Sequence, residues 1–156
     1  MKFTPLRPSG KPWPVKPRKP MKSRHRAIPP PTPEEQDYQD RARALGCVVC
    51  VFRIAHGLQP EELGQCGVTH IHHINGGDHH GQKQVGQAAV VALGAWHHDG
   101  EPRLYWSDAR MIEVYGPTFK RGRTFRVWTN QVIPGYGRGT EAWQKYQDEL
   151  LARGGQ

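Results

Sequence analysis

Seven of the nine histidines fall between His70 and His98, and the three cysteines, Cys47, Cys50 and Cys66, come just before them. A solvated loop has no reason to gather imidazoles and thiols in this way, whereas a metal-organised fold requires these ligand types. Cys47 and Cys50 form a CxxC pair, the usual first half of a tetrahedral zinc site. Two adjacent pairs, His72-His73 and His97-His98, bracket the cluster.

Composition separates two regions. Residues 1–33 hold nine Lys or Arg and ten of the 14 prolines, with no acid. Residues 34–156 hold the other 13 basic residues against all 14 acids, so the net positive charge lies in the N-terminal segment. Proline at this density excludes helices and interior strands and predicts an extended, disordered arm. Its Lys11, Lys16, Arg18, Lys19, Lys22, Arg24 and Arg26 are candidate phosphate contacts, because each cation that pairs with a phosphate releases condensed counterions. Nucleic acid is therefore the expected partner. One folded domain, 34–156, succeeds the arm 1–33. Three cysteines cannot all pair, and no apolar leader opens the chain, which predicts reduced thiols in a soluble intracellular protein. The longest apolar run, Ala88 to Trp96, is far below the roughly 20 residues of a bilayer span.

Local signals order the folded part. Thr32-Pro33-Glu34-Glu35 reads as an N-cap, a proline at the first helical position and a capping-box glutamate. A helix of about 12 residues starts there, with Tyr38, Ala42 and Leu45 on one stripe; it stops at Gly46 and delivers the chain into a CxxC turn. A loop rich in Gly, Pro and Gln comes next. Val68 to Ile74 then alternates as a strand, and Asn75-Gly76-Gly77 is a turn signal. On a strand His70, His72 and Ile74 face one way and Ile71 and His73 the other, so His72 and His73 must have different roles. Ser107 or Asp108 caps a short helix with Met111, Ile112 and Tyr115 inward and Gly116 as its stop. Lys120, Arg121, Arg123 and Arg126 make a basic, phosphate-contacting loop. Thr140 opens a last helix striped by Trp143, Tyr146, Leu150 and Leu151.

The chemistry distributes these ligands over two centres. A structural zinc takes Cys47 and Cys50; Cys66, His70 and His97 compete for the other two places. Cys66 with His97 is the preferred set, because His70 shares a strand face with His72. Phosphodiester hydrolysis needs a base for the attacking water and a cation to neutralise the charge that builds on phosphoryl and leaving oxygens. His73 fits the base, and His72 with His98 fits the cation. Two imidazoles with open positions accept Mg2+, Mn2+ or Zn2+.

The order GCVVC, HIHHINGG, LGAWHHDG resembles the HNH endonucleases of ββα-metal fold, and more closely the phage recombination-enhancement (Ref-like) nucleases that act with RecA. The resemblance covers roughly residues 40–116, and the basic proline-rich arm is similar to the arm of those proteins. It implies an α+β fold, metal-dependent DNA cleavage engaged with a RecA filament in the cytoplasm of a bacterial host, and the same roles for His72, His73 and His98. Gly94 stands where the family pattern LCxxHH carries its cysteine, which directs attention to Cys66. Ala88 and Ala89 occupy the region of the middle Asn of the HNH name, a job that Asn75 could take over. Two functional classes fit these residues: a nuclease, and a non-catalytic zinc-containing DNA-binding or recombination-accessory protein.

Overall fold

A computed structural model describes residues 29–74 and 86–154. Residues 1–28 of the arm, with its seven candidate basic residues, lie outside the described residues, as do Asn75, His79 and His80; the last five residues of the expected arm are described, and α1 already begins at Pro33. The fold is a small α+β arrangement, in the order α1 (Pro33–Leu45), α2 (Val48–Ala55), β1 (Thr69–His73), β2 (Val90–Gly94), α3 (Ala95–Asp99), α4 (Asp108–Tyr115), α5 (Gly122–Val132) and α6 (Gly139–Arg153). Among the described residues no helix is long and apolar enough to cross a membrane.

The start of α1 carries both halves of the capping box: Glu35 N–H donates to Thr32 Oγ1, and Thr32 N–H donates to Glu35 Oε2. Gly46, at φ 88°, ends the helix in a backbone conformation that a side chain disfavours. The CxxC segment is not the expected turn. Val48–Ala55 is a helix, with Cys47 as its N-cap and Cys50 in its first turn. Its apolar run VVCVF buries almost entirely, so burial and not a turn signal sets its conformation.

β1 and β2 pair antiparallel, with His72 opposite Val91 and His73 opposite Val90. Every residue of β2 is buried, as a short continuous apolar strand requires. Two of its backbone groups turned away from β1 are satisfied by one side chain. Ala92 N–H donates to Gln147 Oε1 (2.8 Å), and the Gln147 amide donates to Val90 O (3.2 Å). A buried amide on α6 thus stands where a third strand would be.

The core lies between α2, β2, α5 and α6. Phe52 meets Trp143 and Tyr146 edge-on at 5.4 and 5.3 Å, and Trp128 stacks on Trp143 at 5.8 Å. In α4, Met111 and Tyr115 turn inward as expected, but Ile112 is exposed and Val114 takes its place in the core. The basic segment is not a loop: a 3-10 turn over Phe119–Arg121 runs straight into α5, whose Phe125 is buried.

Candidate metal centre and adjoining cavity

Four ligand atoms, from Cys47, Cys50, Cys66 and His97, lie within 4.8 Å of one another, and all four residues are buried. Each arrives by a separate local device. Cys47 and Cys50 sit at the N-terminus of α2, where unpaired backbone N–H groups favour thiolate. Gln65 fastens the loop that leads to β1, because its Oε1 accepts the Cys47 N–H at 2.7 Å. That contact sets Cys66 against the cluster. His97 comes from α3, where its Nε2–H donates to Tyr115 O at 2.9 Å. The carbonyl fixes the tautomer and leaves the Nδ1 lone pair facing the thiols, 3.0 Å from Cys66 Sγ and 3.2 Å from Cys47 Sγ. A three-sulfur, one-nitrogen set with an oriented imidazole suits tetrahedral Zn2+. Without metal the groups polarise one another. Burial disfavours charge on His97, yet Cys47 and Cys66 outweigh it and push the imidazole up to about 10. Burial likewise opposes ionisation of Cys47, but hydrogen bonds from Cys50 and Cys66 and the charge of His97 hold it well below the ordinary thiol range.

Gly94 explains why the third thiol comes from Cys66. A Cβ on Gly94 would lie 2.5 Å from Cys66 Sγ and 3.3 Å from Cys47 Cβ. The sulfur of Cys66 occupies the space that a side chain at position 94 would fill.

The neighbouring imidazole of α3 goes elsewhere. Successive helical residues diverge by about 100°, so His98 leaves the cluster and lines a cavity of about 690 Å³ with His72, Asp99, Phe119, Lys120, Arg126 and others. His72 and His98 meet with ring centroids 5.2 Å apart, and exposed His70 stacks on His98 at 5.4 Å. His70 therefore belongs to this face and not to the thiol cluster. Asp99 Oδ2 lies 2.8 Å from His98 Nδ1, close enough for electrostatic contact but without hydrogen-bond alignment, and the neighbouring imidazole lowers the Asp99 carboxyl. Burial, together with the nearby His98 and His73, pulls His72 down to about 4, so it is a neutral donor at physiological pH.

His73 is not brought into this group. It faces away from His72 at the end of β1 and is absent from the cavity wall, and its Nδ1 is buried without a hydrogen-bond partner among the described residues. The basic residues also separate. Lys120 lines the cavity, because buried Thr118 ties its turn to α3: Thr118 Oγ1 donates to His97 O and accepts from Lys120 N–H. Arg121 pairs with Asp108 at 3.3 Å, and Arg123 lies on another face beside Ile112, Val127 and Trp128. Sequence reasoning missed Asp99, although an acid directly after the second His pair was a signal. It also missed Phe119 and Thr140, which local pattern does not mark.

A family model described as "Recombination enhancement, RecA-dependent nuclease" matches residues 31–132, about two thirds of the chain. No curated protein and no solved structure matches it. The match spans the thiol cluster, both histidine pairs and the cavity turn, and the chain belongs to the family of recombination-enhancement, RecA-dependent nucleases.

Proposed function

We propose that this protein is an HNH-type DNA endonuclease of ββα-metal architecture, working on strands engaged by RecA. The observation that carries the reading is the pairing of His72 with His98 at the wall of an open cavity that also holds Lys120, directly behind a strand, strand, helix unit. Cys47, Cys50, Cys66 and His97 would hold a structural Zn2+. His72 and His98 would hold a catalytic divalent cation, Mg2+, Mn2+ or Zn2+. When bound, that ion supplies Lewis-acid neutralisation of charge on the phosphoryl group.

The chain's own groups do the rest. His72 is neutral at pH 7 and so presents a lone pair without first losing a proton. Asp99, 2.8 Å from His98 Nδ1, would steady that ring electrostatically. Lys120 offers positive charge to a phosphate oxygen in the same cavity. His73 is the proposed base. It projects from the opposite side of the strand to His72, and in-line displacement places the attacking water opposite the leaving oxygen. Those two positions would bracket a phosphate laid across the end of β1. The arm 1–33, by its composition, would hold DNA through phosphates without reading bases.

The test is nicking of plasmid and of RecA-coated DNA with each cation. His73→Ala should keep DNA binding and lose about 10²–10⁴-fold in rate, the contribution of a general base. Wild-type protein inert on both substrates with every cation would support instead a zinc-containing accessory module.

A further inference from the structure

Tyr105 is the one non-glycine residue with positive φ among the described residues, at 67°. It is also 96 % exposed, next to Leu104 at 78 %. The backbone explains both facts. Trp106 N–H donates to Arg103 O at 2.9 Å, closing a four-residue turn in which Tyr105 is the third residue. Positive φ at that position alone is the type II pattern, which strongly prefers glycine. A bulky ring there is held against its backbone preference and gains no packing in return.

The stem beneath the turn is firmly fixed. Arg103 Nη2 donates to the carbonyl oxygens of Leu63 and Gln65, just before Cys66. Its guanidinium also covers the Tyr115 ring at 5.2 Å and the Trp106 ring at 5.7 Å. Arg110 lies over Trp106 at 5.3 Å. A braced stem with a bare aromatic tip presents a ring to something outside the chain.

Position selects the occupant. Gly100, Glu101 and Pro102 line the His72–His98 cavity, and Tyr105 comes three residues later. Three Cα–Cα steps span at most about 11 Å, the rise of about three stacked nucleotides. We infer that Tyr105 is a stacking platform for an unpaired DNA base beside the cavity, where a strand held at Lys120 would continue. This rests on the nuclease reading for its ligand. An aromatic face is sequence-tolerant, because every base has a π-face.

The same position provides a clean test. Tyr105→Gly removes the ring and relaxes the turn, so the variant should melt no lower than wild type. Binding of the full-length protein to a single-stranded oligonucleotide and to an abasic chain of equal length is compared without added divalent cation. Wild type should prefer the base-bearing chain, and Tyr105→Gly should lose roughly tenfold on that chain alone, while Tyr105→Trp retains the preference. A 2-aminopurine probe should be quenched by wild type and not by Tyr105→Gly. Equal binding of both chains by wild type and Tyr105→Gly overturns the proposal. So does loss confined to RecA-coated DNA, which would assign the tip to protein contact. Cation-dependent nicking is read separately, so failure of stacking and failure of the nuclease reading are distinguishable.

Discussion

The two imidazole groups of α3 start from the same dipeptide and end in opposite environments. His97 is wholly buried with three thiols, its far nitrogen tied to a carbonyl, and the four donors form a closed set. His98, one residue later, shares an open cavity with His72. A complete donor set with no vacant position holds a fold together, whereas an incomplete one facing a cavity leaves room for substrate. The difference teaches that ligand identity says little about role; the number of donors that converge, and their access to solvent, decide it.

The largest effect should come from opening the closed set. A structural zinc contributes apparent folding energy of about 10 kcal/mol or more, comparable to the whole stability of a small domain. Cys47→Ser, or chelation of zinc from the wild type, should therefore abolish cooperative melting in calorimetry. A sharp transition in the metal-free protein would collapse the contrast between the two sites. His98→Ala should do the reverse: nicking falls on the order of a hundredfold, as on losing one group that organises transition-state charge, while stability stays within about 1 kcal/mol. Metal analysis should then lose at most the second ion and keep the first.

Gly94→Ala asks how tightly the closed set is packed. Its Cβ would displace Cys66 Sγ, and overpacking of this kind costs about 1–3 kcal/mol, so zinc competition with a chromophoric chelator should show weaker retention. The smallest effect concerns pH. In protein without a cavity cation, His72 titrates near pH 4 when folded and near 6.5 when unfolded. The unfolded chain takes up the proton first, so stability is lost as pH falls from about 6.5 toward 4 and is unaffected above that window. Denaturant melts of His72→Gln should show a shallower slope than wild type over the same range; an equal slope would place the titration elsewhere.

Much of the local structure was legible. The capping box at Thr32 and Glu35, the Ser107 cap and the Gly116 stop are short-range hydrogen-bond patterns written in adjacent residues. Strand alternation put His70 and His72 on one face, where both rings now meet His98. Helix α2 was hidden because the β-branched residues around CxxC favour extended backbone and the motif itself reads as a turn; burial of Val48, Val49, Cys50, Phe52 and Arg53 against the core sets the helix, while Val51, Ile54 and Ala55 stay more open. The basic segment had charge without direction. Only the Thr118 tie to α3 turns Lys120 into the cavity and leaves Arg123 on another face.

By itself the sequence determined the donor inventory, its order along the chain and the faces of β1, because these depend on residue type and on the period of a strand. The tertiary structure decided which imidazole joins which partners. Cys47 and His97 are 50 residues apart, and Gln147 completes β2 from 55 residues beyond Ala92. Such pairings depend on how helices pack across the sheet, and on the atom-scale vacancy at Gly94 that Cys66 fills. No local period encodes them, since the free energy that selects them is shared among residues far apart in the chain.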